Sequence, residues 1–208
     1  MSQRTPAPGH CELCGQAVDK SVIVTHLDKC MLQHPLPTGD VRAYLFEIKA
    51  MPYWVYVMTR TDAKLADLDE FLRGIWLECC GHESAFTIAG TQYGSPGFAD
   101  EDDDVPGLEV ALEDVLKPKQ NFSYDYDFSA ATSLELKLIR EQKTQQSAAI
   151  RLLARNDAPE IECQECAQPA RKICNECIWS GEGALCEDCA PEHACGNDAL
   201  LPVVNSPR

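Results

Sequence analysis

The sequence predicts an α+β fold in which a central antiparallel sheet with two helices is flanked by a small cysteine-rich module at each end. Three observations carry this. Segments of strand periodicity and segments of helical periodicity share the stretch 41–156. Ten of the twelve cysteines fall in two short blocks, Cys11 to Cys30 and Cys163 to Cys195. A chain of 208 residues suffices for one ordinary core with appendages and is short for two full globular domains.

The first block lies within residues 1–34. Cys11-Glu12-Leu13-Cys14-Gly15 has the form of a knuckle, in which two thiolates bend round a metal and Gly15 permits the tight turn. Lys20 to Met31 reads as a helix, and His26 and Cys30, spaced i and i+4, share one face of it. Cys11, Cys14, His26 and Cys30 then close a tetrahedral site with no open position, which is structural zinc chemistry rather than catalysis. The competing reading makes His26 a surface residue and Cys30 a buried thiol. Cys11-Glu12-Leu13-Cys14, followed by His26-Leu27-Asp28-Lys29-Cys30-Met31-Leu32, resembles the UBZ type of ubiquitin-binding finger. That resemblance implies a helix face, through Asp28 and Leu32, that meets a protein partner. A finger this small needs its metal to fold.

After a linker containing Pro35, Pro37 and Thr38-Gly39, Val41 to Lys49 and Tyr53 to Thr59 read as a hairpin of two strands split at Met51-Pro52. Leu65, Leu68, Leu72, Ile75 and Trp76 recur at helical spacing, which predicts a helix over 62–78 capped by Thr61 or Asp62, its apolar stripe on one face of the sheet. Short strands follow at Ala85 to Ile88 and Thr91 to Tyr93. The run from Gly94 to Asp104 is too acidic and too rich in Gly and Pro to pack; it lacks the pattern of a calcium loop and reads as a solvated loop. Leu108 to Leu116 reads as a second helix. Asn121 to Phe128 alternates, with Phe122, Tyr124, Tyr126 and Phe128 on a core face, and strands through Leu134–Leu138 and Ala148–Ala154 complete the sheet.

The segment Thr61-Asp62-Ala63-Lys64-Leu65-Ala66-Asp67-Leu68-Asp69-Glu70-Phe71-Leu72, with His82-Glu83-Ser84-Ala85-Phe86, Tyr93-Gly94 and Tyr124-Asp125-Tyr126-Asp127-Phe128, resembles the Ri-plasmid open-reading-frame-three-like family, also labelled insertion-element passenger TnpR. The resemblance spans about residues 41–155 and implies an α+β domain of uncertain function fused to other modules. Its label implies a mobile-element setting, but the chain carries no catalytic serine motif or basic arm of a recombinase. Where the family's pattern has Gly-Trp, this chain has Cys79-Cys80-Gly81. Cys79 and Cys80 beside His82 are the one place where a reactive thiol, as nucleophile or redox sensor, could sit. The plainer reading is that they end a helix as small buried hydrophobes.

Within 161–200 the candidate ligands are Cys163, Cys166, Cys174, Cys177, Cys186, Cys189, His193 and Cys195, enough for two closed tetrahedral sites. Cross-bracing pairs Cys163 and Cys166 with Cys186 and Cys189, and Cys174 and Cys177 with His193 and Cys195; sequential pairing is the alternative. The spacing resembles the B-box and MYND cross-braces, which implies a protein-interaction module, although the single-residue gap at His193-Ala194-Cys195 is shorter than in those families. Disulfides and iron–sulfur clusters are the other uses for so many thiols.

The net charge is −15, and ten thiolates around three Zn²⁺ would take it to −19. Residues 41–120 carry seven Lys and Arg against fifteen Asp and Glu. Phosphate binding requires clustered cations, so this acidic balance argues against nucleic acid. The sequence also offers neither a signal-peptide stretch nor an apolar run of membrane length. The expectation is a cytoplasmic adaptor, not an enzyme, holding three zinc ions through its two zinc-binding modules and acting on another protein. A nucleic-acid-binding regulator linked to a plasmid or transposon, and a thiol sensor or enzyme at Cys79, Cys80 and His82, are the alternatives.

Overall fold

In the computed structural model, which describes residues 8–34, 40–77, 81–99, 104–144, 148–158 and 160–207, the first elements are two short strands, Gly9–Cys11 (β1) and Ala17–Val18 (β2). A helix, Ile23–Gln33 (α1), follows. The strands are not confined to the finger. Val41–Ala50 (β3), Tyr53–Arg60 (β4), Ser84–Ile88 (β5), Thr91–Gly94 (β6), Asn121–Tyr126 (β7), Thr132–Thr144 (β8) and Ile150–Asn156 (β9) join them in one nine-stranded antiparallel sheet ordered β2-β1-β9-β4-β3-β8-β7-β5-β6. The junction is β1 against β9, with Gly9 opposite Asn156 and Cys11 opposite Ala154. The expected α+β class is present, but the sheet is larger than the sequence pattern indicates.

The hairpin at Met51-Pro52 forms, with Ala50 opposite Tyr53 and a cis peptide at the proline. The apolar stripe expected over 62–78 packs on one face of the sheet, where Leu65, Leu68, Leu72 and Trp76 are buried with Phe46, Ile48, Phe86, Tyr124 and Leu136. Its backbone differs from the expectation: an α-helix, Leu65–Leu72 (α2), runs into a π-helical turn at Arg73–Leu77. Neither expected cap serves, because Thr61 Oγ1 donates to Glu113 and Asp62 pairs with Arg60. Instead the Lys64 N–H donates to Asp67 Oδ2 at 2.7 Å, and the carbonyls of Val110 and Leu108 accept from the N–H groups of Leu65 and Ala66. This also shortens the second helix. Leu108 and Val110 supply their carbonyls to α2 from irregular, bent chain, so only Leu112–Val115 (α3) is helical.

Two further expectations are corrected. The strand read as far as Phe128 ends at Tyr126, because Asp127 adopts φ +59°; Phe128 leaves the core face and packs on Phe98 with centroids 5.1 Å apart. The acidic loop does not start at Gly94, which closes β6 and donates its N–H to Pro106 O. Its residues 100–103 lie outside the described residues.

On the opposite face of the sheet, α1 buries Ile23 and Leu27 against Leu45, Trp54, Tyr56, Met58 and Leu153. β3 and β4 are therefore covered on both faces along much of their length, which is why their sequences are apolar almost without alternation. The chain clusters into two compact units, Met1–Asp157 with Ser206–Arg208, and Ala158–Asn205. The second unit holds a three-stranded sheet of Lys172–Cys174 (β10), Ala184–Leu185 (β11) and Leu200–Pro202 (β12), ordered β11-β10-β12. No helix among the described residues is long and apolar enough to cross a membrane.

Candidate metal centres

All twelve expected ligands converge, four at a time, on three points. Cys11, Cys14, His26 and Cys30 form one cluster; Cys163, Cys166, Cys186 and Cys189 a second; Cys174, Cys177, His193 and Cys195 a third, with all ligand atoms within 4.8 Å of one another in each. The two clusters of the second unit are therefore cross-braced, and His193 and Cys195 close one site despite the single residue between them.

Each cluster is built from short turns that hang two thiols from one peptide loop. In three of them the first cysteine's carbonyl accepts the N–H four residues on: Gly15 to Cys11 at 2.8 Å, Ala167 to Cys163 at 2.9 Å and Ala190 to Cys186 at 3.0 Å. Gly15 takes φ +72°, and Ala167 takes φ +58° in the equivalent place. Around the third cluster the close approach is made by Gly183 at φ +97°, where a Cβ would meet the Cβ atoms of Cys177 and Cys174 at 3.0 and 3.1 Å.

The separations test what such clusters can hold. Sulfurs lie 3.8 Å apart between Cys11 and Cys30, and 3.6 Å apart for Cys166–Cys186, Cys166–Cys189 and Cys177–Cys195. A tetrahedral ion with bonds to sulfur of about 2.3 Å sets its sulfurs about 3.8 Å apart, and sulfur to imidazole nitrogen about 3.5 Å apart. Cys14 to His26 Nε2 and Cys177 to His193 Nε2 both measure 3.5 Å. Disulfides need about 2.05 Å, and the ten described cysteines are free. The donor sets fit a single ion each.

Electrostatics agree. Burial opposes ionisation of Cys163, but N–H groups of Cys186, Glu165 and Cys166 outweigh it and hold the thiol down to about 6. Cys174 is held down to about 7 against the same burial by N–H groups of Cys177 and Glu176 and by His193. Their neighbours move the other way: Cys177, then Cys174, push Cys195 up to about 12, and Cys186 and Cys166 raise Cys189. In the first cluster burial, then Cys14 and Cys11, push Cys30 up to about 12. One thiolate in such a cluster opposes the next, and a dication at the centre relieves that opposition.

The expected partner face is only partly free. Leu32 is 83% exposed, whereas Asp28 Oδ1 bonds Arg140 Nη2 from β8 at 2.6 Å. A second tie, which the sequence reading missed, joins Lys20 to Glu47 at 2.5 Å with both side chains largely covered. Cys79 and Cys80 lie outside the described residues. His82 packs edge-on against Tyr126 with its Nε2 3.7 Å from Asp127 Oδ2. Also missed was a buried polar cluster, in which Asp69 accepts from Arg73 Nε at 2.7 Å, Ser84 Oγ at 2.6 Å and Tyr124 OH at 2.7 Å. Its trace in the sequence is an acid set among Leu65, Leu68 and Leu72 on the apolar stripe. These bonds satisfy the carboxylate, and it anchors the π-helical turn to the sheet.

No family model and no curated protein matches the chain. Among solved structures it is similar to a protein of unknown function from Methanosarcina mazei Go1, at 13% identity and a TM-score of 0.46, covering 56% of this chain and 69% of that one.

Proposed function

We propose that this protein is a non-enzymatic adaptor that holds three zinc ions and acts by binding another protein. The observation that carries this reading is the closure of all three clusters: each offers four Cys or His ligands to a single tetrahedral ion, leaving no position for substrate or water. Thiolate-rich sets with one or no histidine suit zinc, and the sulfur separations of 3.6 to 3.8 Å are those of a mononuclear site rather than of a cluster of several irons. The net charge of −15 disfavours nucleic acid as the partner. The likeness of the finger to UBZ modules, of the second unit to cross-braced interaction modules and of residues 41–155 to the Ri-plasmid family belongs to the same proposal. Within it Asp28 and Leu32 are contact residues and the compartment is the cytoplasm.

Native mass spectrometry with metal analysis of the full chain is expected to return three zinc ions per chain. Two, or iron in their place, would overturn the metal assignment. The adaptor role is tested by capture on the immobilised, metal-loaded chain: a partner retained by the native protein and lost with Leu32→Ala supports it. Retention of nothing by the native chain sinks it.

A further inference from the structure

We propose that Trp179 anchors a docking surface for a basic peptide segment, an arginine or lysine of the partner lying on its indole face. This rests on the adaptor reading above and names the surface and its occupant. Trp54 and Trp76 are buried, at 0% and 5% exposure, whereas Trp179 is 86% exposed. A tryptophan so placed is unusual in a folded chain, and the residue is among those that dominate protein interfaces.

Its position is held by the metal-site scaffold. Trp179 sits in the middle of a 3₁₀ turn, Ile178–Ser180, that begins directly after the ligand Cys177. The Cys177 carbonyl accepts from Ser180 N–H at 3.0 Å and from Ser180 Oγ at 2.7 Å, and Gly181 at φ +83° ends the turn with its N–H on Ile178 O. The Cys177 thiol in turn lies 3.5 Å from His193 Nε2 and 3.6 Å from Cys195. The indole is thus presented outward on a turn tied at its start to a ligand cluster, which lowers the ordering cost of engaging a partner.

Charge selects the occupant. In Ala158–Asn205 the acids are Glu160, Glu162, Glu165, Glu176, Glu182, Glu187, Asp188, Glu192 and Asp198, against only Arg171 and Lys172. All nine acids are exposed, and among the described residues none is in an ion pair. Seven thiolates around two dications would add three further negative charges. Glu176 and Glu182 flank the turn in sequence, and Ile178 beside the indole is 40% exposed. An exposed aromatic face in a negative field attracts a cation by its quadrupole and by the field together, and the same field repels phosphates of a nucleic acid or an acidic membrane.

The test uses the full-length, metal-loaded protein and a dye-labelled octapeptide of alternating Arg and Ala, with a Glu and Ala octapeptide as control, read by fluorescence polarisation at 50 and 300 mM salt. Saturable binding of the Arg peptide alone is expected, weaker at the higher salt. Trp179→Ala should lower the affinity about tenfold at unchanged metal content, with Trp179→Phe retaining most of it. An Arg peptide that does not bind, or that binds Trp179→Ala as tightly as the native chain, overturns the proposal. If that happens while the capture experiment still yields a Leu32-dependent partner, the basic-peptide surface falls and the adaptor reading stands. If capture also fails, both fall.

Discussion

Cys11 and Cys30 are candidate ligands embedded in a hydrophobic core; Cys163 and Cys186 make up half of a much smaller one. In the first unit Cys11 and Cys30 belong to a buried set of twelve residues that also includes Ile23, Leu27, Leu45, Trp54 and Met58. In the second, the buried apolar cluster consists of Cys163, Leu185, Cys186 and Ala190, and two of those four are themselves candidate ligands. The same chemistry therefore serves different ends. Where a sheet and helix already remove apolar surface from water, a metal would only lock an edge in place. Where they do not, metal bonds must offset the chain entropy directly.

The largest expected effect follows from this difference. Chelation should unfold the second unit, because structural zinc sites in small modules are worth roughly 10–16 kcal/mol of folding free energy. Amide NMR signals of 161–205 should collapse to the unfolded range while those of β3, β4, β7 and β8 persist; dispersed signals from the second unit after complete metal removal would break the comparison. The next effect tests the embedding itself. Leu27→Ala opens a cavity between α1 and the sheet and should cost about 2–5 kcal/mol in denaturant unfolding of the whole first unit. A loss confined to residues 8–34 would show the finger to be an independent module.

Smaller changes sharpen the contrast. Gly183→Ala forces a side chain into a left-handed backbone position against Cys174 and Cys177. It should destabilise the second unit by roughly 1–3 kcal/mol, seen as earlier zinc loss in a chelator titration, with the first unit's melt unchanged. Glu47→Gln leaves Lys20 without its carboxylate in a largely covered site, so about 1–3 kcal/mol should be lost from the first unit alone. Arg140→Ala removes the tie to Asp28, whose side chain is 51% exposed, and should cost under about 1 kcal/mol in the same unfolding measurement.

Much of the site was legible because metal ligation is written locally. Pairs of thiols two residues apart, and His26 with Cys30 one helical turn apart, specify their own turn geometry, whereas the choice between cross-braced and sequential pairing was made by the tertiary structure. Less was legible where the cause is distant in sequence. Thr61 is a good cap by type, yet its hydroxyl is taken by Glu113. Leu108 to Val110 have helical spacing, yet they supply carbonyls to α2. Phe128 has the right parity for the core, but the left-handed backbone at Asp127 turns it out.

The missed docking of the finger did leave a trace. β7 alternates strictly, as a strand with one covered face should, while the run Tyr53-Trp54-Val55-Tyr56-Val57-Met58 does not alternate at all. Such a run on an antiparallel strand asks what covers its second face.

The sequence by itself determined the mixed class, most of the strand and helix periods through 41–156 and the twelve candidate ligands, because each rests on neighbours within a few residues or on a count of thiols; the tertiary structure decided the cross-braced grouping of the last eight. The tertiary structure decided that the finger's strands complete a nine-stranded sheet, that Asp28 is tied to Arg140, that Asp69 is buried and satisfied, and that Trp179 alone of the three tryptophans faces water. Those outcomes depend on which surfaces meet between segments distant in sequence, and on which donor reaches a carboxylate first. Neither is encoded in local spacing.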